Sequence, residues 1–149
     1  MTSQTILLVE DNPDDEALTL RAFEKSNIRN EVVVLRDGAE ALAYLFPGDG
    51  DGDGAPRPAL ILLDLNIPKV GGLEVLRRMR TDERTRLIPV VVLTSSKLDE
   101  DILDSYRSGA NAYVRKPVRF SDFADAVRAL GVFWLRLNEP APSRGPESD

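Results

Sequence analysis

The chain has neither cysteine nor histidine among its 149 residues. The first absence excludes disulfides, thiol nucleophiles and thiolate metal sites. The second removes the usual general base near neutral pH and the commonest zinc ligand. Chemistry here must rest on Asp, Glu, Lys, Ser, Thr or Tyr, and any bound metal should be a hard cation that prefers oxygen. No apolar run is long enough to span a bilayer, and the opening MTSQTILLVE has no basic stretch before its apolar residues. Neither secretion nor membrane insertion is therefore expected, and the expected location is the cytoplasm. There is no GxGxxG after the first apolar run and no GxxxxGK motif ending in Ser or Thr, so dinucleotide and P-loop readings have no support. Positive charge is also in deficit: the formal charge is −6, which argues against general affinity for nucleic acid.

What remains is the composition of a globular domain, 42% hydrophobic and 30% charged, with a length suited to one domain and a proper core. Five short apolar runs recur: Ile6–Val9, Val32–Leu35, Leu60–Leu63, Val90–Leu93 and Ala112–Val114. They are rich in Val, Ile and Leu and lack in–out alternation, the pattern of parallel strands buried on both faces. Helix-like stretches lie between them. Asn12, Pro13 and the acids Asp14, Asp15 and Glu16 supply a cap, a first-turn proline and negative charge at the positive dipole end. Asp37 with Glu40 forms a capping box before Ala41–Phe46. Gly71–Gly72 leads into Leu73–Arg80, Asp99–Ser108 stops at Gly109, and Ser121 is the expected cap of the last helix. Repeated strand–helix alternation predicts an α/β fold with right-handed crossovers. The polar, Pro-rich end of the chain, residues 139–149, is expected to be a disordered tail after one domain over 1–138.

In an open α/β sheet, ligands bind beyond the carboxyl ends of the strands. There the chain places Glu10–Asp11 after the first run, Asp64–Leu65–Asn66 after the third, Thr94–Ser95–Ser96 after the fourth and Lys116–Pro117 after the fifth. Any one acid at a strand end is more often a helix cap or a solvated loop residue. Three together are different, because like charges held close resist ionisation unless a cation is shared among them. Magnesium meets that need: it takes carboxylate and carbonyl oxygens and binds phosphate.

These residues resemble the receiver domains of two-component response regulators. The similarity runs from about Thr5 to Leu137: the acidic pair in LLVEDN, the aspartate in LILLDLNIP followed by Gly71–Gly72, the hydroxyl in VVVLTSS, and GANAYVRKP. The resemblance implies a flavodoxin-like, doubly wound five-stranded parallel sheet of order 2-1-3-4-5. It implies that Asp64 accepts a phosphoryl group from a sensor histidine kinase. Glu10, Asp11, Asp64 and the backbone carbonyl of Asn66 would hold Mg²⁺, with Mn²⁺ able to substitute. Lys116 and Thr94 would contact the phosphoryl oxygens, and Thr94 and Tyr113 would form the switch. Glu10 stands where many members have Asp, and Val70 replaces a bulkier residue before the glycines. The inserted loop and the FWL ending resemble small single-domain regulators that accompany bacterial phytochromes, making a bacteriophytochrome a candidate kinase.

Two features ask for other readings. GDGDGDG, Gly48 to Gly54, begins like an EF-hand loop, but the required twelfth-position glutamate is Leu60, so a solvated insertion is the better account. Phe120, Phe123, Val127, Leu130, Trp134 and Leu137 follow steps of three and four, one face for packing on the sheet. Phe133, Trp134 and Leu135 then spread apolar surface further around the helix. That points either to a helix end tucked under a loop or to a symmetric homodimer through the last helix and neighbouring elements. Two rival functions are a phosphohydrolase with an aspartyl nucleophile and an interaction module that never takes phosphate. The first needs an acid two residues after Asp64, where Asn66 stands. The second usually has a damaged acidic pair, acceptor or lysine, and all are intact here.

Overall fold

The structure, a computed structural model, describes residues 4–48 and 57–142. Along the chain run β1 (Ile6–Val9), α1 (Pro13–Lys25), β2 (Val32–Leu35), α2 (Gly38–Leu45), β3 (Leu60–Leu63), α3 (Gly72–Arg80), β4 (Val90–Thr94), α4 (Asp99–Arg107), β5 (Ala112–Arg115) and α5 (Phe120–Val132). A π-helical turn over Phe133–Leu137 extends α5. The strands form one parallel sheet of order β2-β1-β3-β4-β5, as expected. Apart from Gly48, the GDGDGDG stretch lies outside the described residues, as do residues 143–149 of the expected tail.

The absence of polar alternation in the strands has a direct structural meaning. Leu7 and Val9 of β1 and Ile61 and Leu63 of β3 enter one apolar cluster, with Val75, Leu76 and Met79 of α3 and Ala41 and Leu45 of α2. Their neighbours Ile6, Leu8, Leu60 and Leu62 enter a second, with Phe23 of α1 and Phe123 and Val127 of α5. Successive side chains leave a strand on opposite faces, so two helical layers demand apolar residues at every position. The edge strands β2 and β5 are only partly buried.

The start signals hold at α1 and α2. The Asn12 side chain accepts the Asp14 and Asp15 N–H groups, and Asp37 accepts that of Glu40. The Glu40 carboxylate completes the box one residue early, accepting from the Arg36 N–H at 2.9 Å. Ser121 does not cap the last helix: α5 starts at Phe120, with Arg119 in the cap position and no side-chain cap bond. The expected apolar face of α5 is also only partly realised. Phe123 and Val127 are buried and Leu130 and Trp134 pack on the second cluster, but Phe120 and Leu137 are exposed. The π turn fits more residues into each turn, and the smaller angular step rotates its residues off the helical stripe. As a result Trp134 and Leu135 lie partly against the chain's own core, while Phe133 is exposed and meets the Trp134 ring edge-on at 5.0 Å.

Candidate functional site

Backbone bonds just beyond the strand ends hold the site together. Glu10 N–H donates to the Leu35 carbonyl at 2.9 Å, Asp64 N–H to Val9 at 3.1 Å and Lys116 N–H to Thr94 at 2.8 Å. Each bond extends the sheet ladder past the regular strand. Because Val9 pairs with Leu63, the next residues, Glu10 and Asp64, also emerge side by side. Gly72 opens α3 directly beneath: a Cβ there would come within 2.5 Å of the Asp64 carbonyl oxygen.

The convergence of side chains matches the sequence expectation and adds a member. Asp64, only 6% exposed, accepts from the Thr94 hydroxyl at 2.9 Å and the Asn66 N–H at 3.1 Å through Oδ1. Its Oδ2 pairs with Lys116 Nζ at 2.9 Å. Lys116 also contacts Glu10 Oε1 at 2.8 Å and Asp15 Oδ2 at 2.8 Å. Asp15 was legible in the sequence only as a dipole-favouring acid. The available signal was the Asn12 cap, which starts α1 at the sheet edge and brings its first-turn acids beside the strand ends. Tyr113 is half-buried, and its hydroxyl reaches the Ser96 carbonyl at 3.1 Å instead of the carboxylates. Ser96 Oγ in turn donates to Asp101 at 2.6 Å, near the start of α4. Phe133, Trp134 and Leu135 belong to the end of the last helix and take no part in this cluster.

The electrostatics explain how buried acids are tolerated. Burial opposes ionisation of Asp64, but the Asn66 N–H, Lys116 and Thr94 outweigh it and hold the carboxyl below its ordinary value. For Glu10 burial prevails over Lys116, and its carboxyl is pushed up to about 7. Burial also works against the Lys116 ammonium, yet Asp15, Glu10 and Asp64 more than offset it and raise its pKa. One ammonium thus serves several carboxylates, leaving local charge strongly negative.

A divalent ion fits that surplus. Glu10, Asp11 and Asp64 each offer an oxygen within 4.8 Å of the others, with Asp11 exposed on the open side. Oxygen-only donors around a negative cluster suit Mg²⁺ or Mn²⁺.

Residues 6–128 match the family model for the response regulator receiver domain. The chain belongs to that family. Curated relatives of this receiver domain include a probable methanogenesis regulatory protein, FilR2, of Methanothrix harundinacea, 44% identical over 93% of this chain and 88% of the relative. Response regulator Rcp1 of Synechocystis is 41% identical over 89% of each chain. Among solved structures, the Mn²⁺-bound form of Rcp1 superposes with a TM-score of 0.85 at 39% identity, covering 93% of this chain and 99% of that one. The phosphorylated cyanobacterial phytochrome response regulator RcpA gives 0.86 at 41% identity over 95% and 100%. The bacteriophytochrome response regulator RtBRR is 53% identical over 95% and 86%, with a TM-score of 0.72. The receiver domain is thus a phosphoacceptor protein of two-component signalling with phytochrome-associated homologues. Among its described residues no helix is long and apolar enough to cross a membrane.

Proposed function

We propose that this receiver domain takes a phosphoryl group onto Asp64 from the phosphohistidine of a sensor kinase, with Mg²⁺ bound at Glu10, Asp11, Asp64 and the Asn66 carbonyl. Its main support is the state of Asp64: buried, yet held ionised by Lys116, Thr94 and a backbone N–H. An ionised carboxylate needs no general base, consistent with a chain that lacks histidine. An Asp64 oxygen bonds to phosphorus as the N–P bond of the donor breaks. The imidazole keeps that electron pair and is protonated. Lys116 and Thr94 stand where they can receive the new phosphoryl oxygens, and transfer through a loose transition state needs chiefly such positioning and charge. A divalent ion in the carboxylate cluster would neutralise charge on the phosphoryl oxygens.

The chain acts in the cytoplasm as a switch and not as a turnover enzyme, beyond its own phosphorylation and dephosphorylation. A hydrolase reading lacks an acid at Asn66. Phosphate draws Thr94 toward it, and Tyr113 follows, altering the α4–β5–α5 face through Ser96. A bacteriophytochrome is the proposed kinase, on the strength of similarity to RcpA and RtBRR. A homodimer through the last helix is proposed with Phe133 as its exposed contact and Trp134 and Leu135 supporting it from beneath. The working unit is the domain over 1–138, with 139–149 as its tail.

The test uses acetyl phosphate and Mg²⁺ and reads intact mass. Wild type should gain one phosphate labile to hydroxylamine, and chelation of the metal or Asp64→Asn should abolish the gain. A wild type that gains nothing, or an Asp64→Asn that gains as much, overturns the proposal. Phe133→Asp should shift sedimentation to the monomer with the fold intact; an unchanged coefficient removes the dimer.

A further inference from the structure

We propose that Asp15 is a positioning residue for phosphoryl transfer, anchoring the Lys116 ammonium from the first turn of α1 so that the lysine stays aimed at the acceptor. The inference deepens the proposed function and rests on Asp64 as the phosphoacceptor.

An ammonium has three N–H donors. Those of Lys116 have three carboxylates within reach: Glu10 at 2.8 Å, Asp15 at 2.8 Å and Asp64 at 2.9 Å. The three acids differ in what else can claim them. Glu10 and Asp64 belong with Asp11 to the group whose oxygens lie within 4.8 Å of one another; Asp15 stands outside it. A divalent ion therefore competes with Lys116 for Glu10 and Asp64, but not for Asp15. Phosphorylation then converts the Asp64 carboxylate to an acyl phosphate, redirecting another donor. Asp15 alone keeps its hold on the lysine throughout.

The geometry suits an anchor. The Asp15 N–H is tied to the Asn12 side chain at 3.1 Å, and the Thr19 hydroxyl donates to the Asp15 carbonyl at 2.8 Å. The base of the side chain is thus fixed on a helix. The Lys116 side chain is 8% exposed and that of Asp15 24%, so the contact is largely withdrawn from solvent. A lysine stem is long and flexible, and an ammonium that wanders no longer serves a reacting oxygen. Helix initiation does not require this contact, because Asp14 and Glu16 already place negative charge in the first turn.

The test compares wild type, Asp15→Ala, Asp15→Glu, Lys116→Met and the Asp15→Ala/Lys116→Met pair, all as the full chain. Phosphorylation by acetyl phosphate at saturating Mg²⁺ is followed by intact mass, and Mg²⁺ affinity is measured separately by calorimetry without phosphodonor. Asp15→Ala should slow phosphorylation about tenfold while Mg²⁺ affinity stays within about threefold, and Asp15→Glu should recover most of the rate. In the Lys116→Met background, loss of Asp15 should change the rate less than about twofold, since the two act as one unit. Equal rates in wild type and Asp15→Ala overturn the inference. So does no recovery in Asp15→Glu, an Asp15→Ala effect that persists without the lysine, or a fall in Mg²⁺ affinity as large as the fall in rate. A wild type that takes no phosphate sinks the proposed function itself; a phosphorylated wild type matched by Asp15→Ala sinks only the role of Asp15.

Discussion

Arg80 and Asn111 join the amino ends of two strands: Arg80 Nη2 donates to Asn111 Oδ1 at 2.9 Å, and the same oxygen accepts the Val90 N–H at 2.8 Å. Arg80 also donates to the carbonyls of Gly109, Arg86 and Ile88 at 2.9, 3.0 and 2.9 Å. The guanidinium thus binds the end of α3, the loop before β4 and the turn before β5. Burial lowers its pKa, yet it stays charged, as arginine does in proteins.

Arg80→Met should lose the whole fan and leave several carbonyls poorly satisfied. A cost of about 2–4 kcal/mol follows from the penalty per unpaired polar group, discounted for access of water. Urea denaturation should show a lower midpoint with an unchanged slope. Arg80→Lys should recover only part, because one ammonium cannot spread its donors as the planar fork does.

Gly38 presses on the loop that follows Asp64. Its N–H donates to the Pro68 carbonyl at 3.1 Å, and a Cβ at this position would overlap the Val70 carbonyl. Backbone contact thus dominates at Val70; nothing in the structure explains the residue's unusual size. Gly38→Ala should displace the loop carrying Asn66. Expected are a stability loss of about 1–3 kcal/mol, as for other overpacked sites, and weaker Mg²⁺ binding by calorimetry.

Gly131 lets α5 approach α1. A Cβ would run into Ile28 Cδ1 and lie 3.2 Å from Phe23 Cε1. The Ile28 methyl is the free end of a side chain and can turn away, while Gly→Ala in a helix gains about 1 kcal/mol. Gly131→Ala should therefore stay within about 1 kcal/mol of wild type, whereas Gly131→Leu should lose about 1–3 kcal/mol through overpacking. Thermal unfolding distinguishes the two.

Metal binding should depend on pH through Glu10. Its carboxyl, raised to about 7 by burial against the pull of Lys116, binds a proton more tightly in the metal-free fold than in the unfolded chain. A metal requires it deprotonated. At pH 8 the site is ready; at pH 6 a proton must leave first, and apparent Mg²⁺ affinity should be about tenfold weaker. Calorimetry in buffers of different ionisation enthalpy should detect release of close to one proton at pH 6 and little at pH 8. Glu10→Gln should remove the dependence.

The receiver fold was readable because its signals are local. Strands sandwiched between helices must be apolar throughout, and Asn12 and Asp37 announce their helices by bonding backbone a few residues away. Asp64, Thr94 and Lys116 were readable as well, since polar residues that end apolar strands must collect along one edge of a parallel sheet. Harder were features governed by partners distant in sequence. Ser121 carried a capping side chain but lies inside the first turn of α5, and the FWL residues are divided between core and solvent by a change from α- to π-helical periodicity.

By itself, then, the chain's order of apolar runs, caps and strand-end residues determined the sheet, its two helical layers and the edge on which chemistry could occur. Only the tertiary structure decided which acids share the ammonium. Asp15 and Lys116 are 101 residues apart and meet at 2.8 Å because strand register and the start of α1 bring them there. Propensity acts over a few neighbouring residues, whereas an ion pair depends on distances that exist only after the layers have packed.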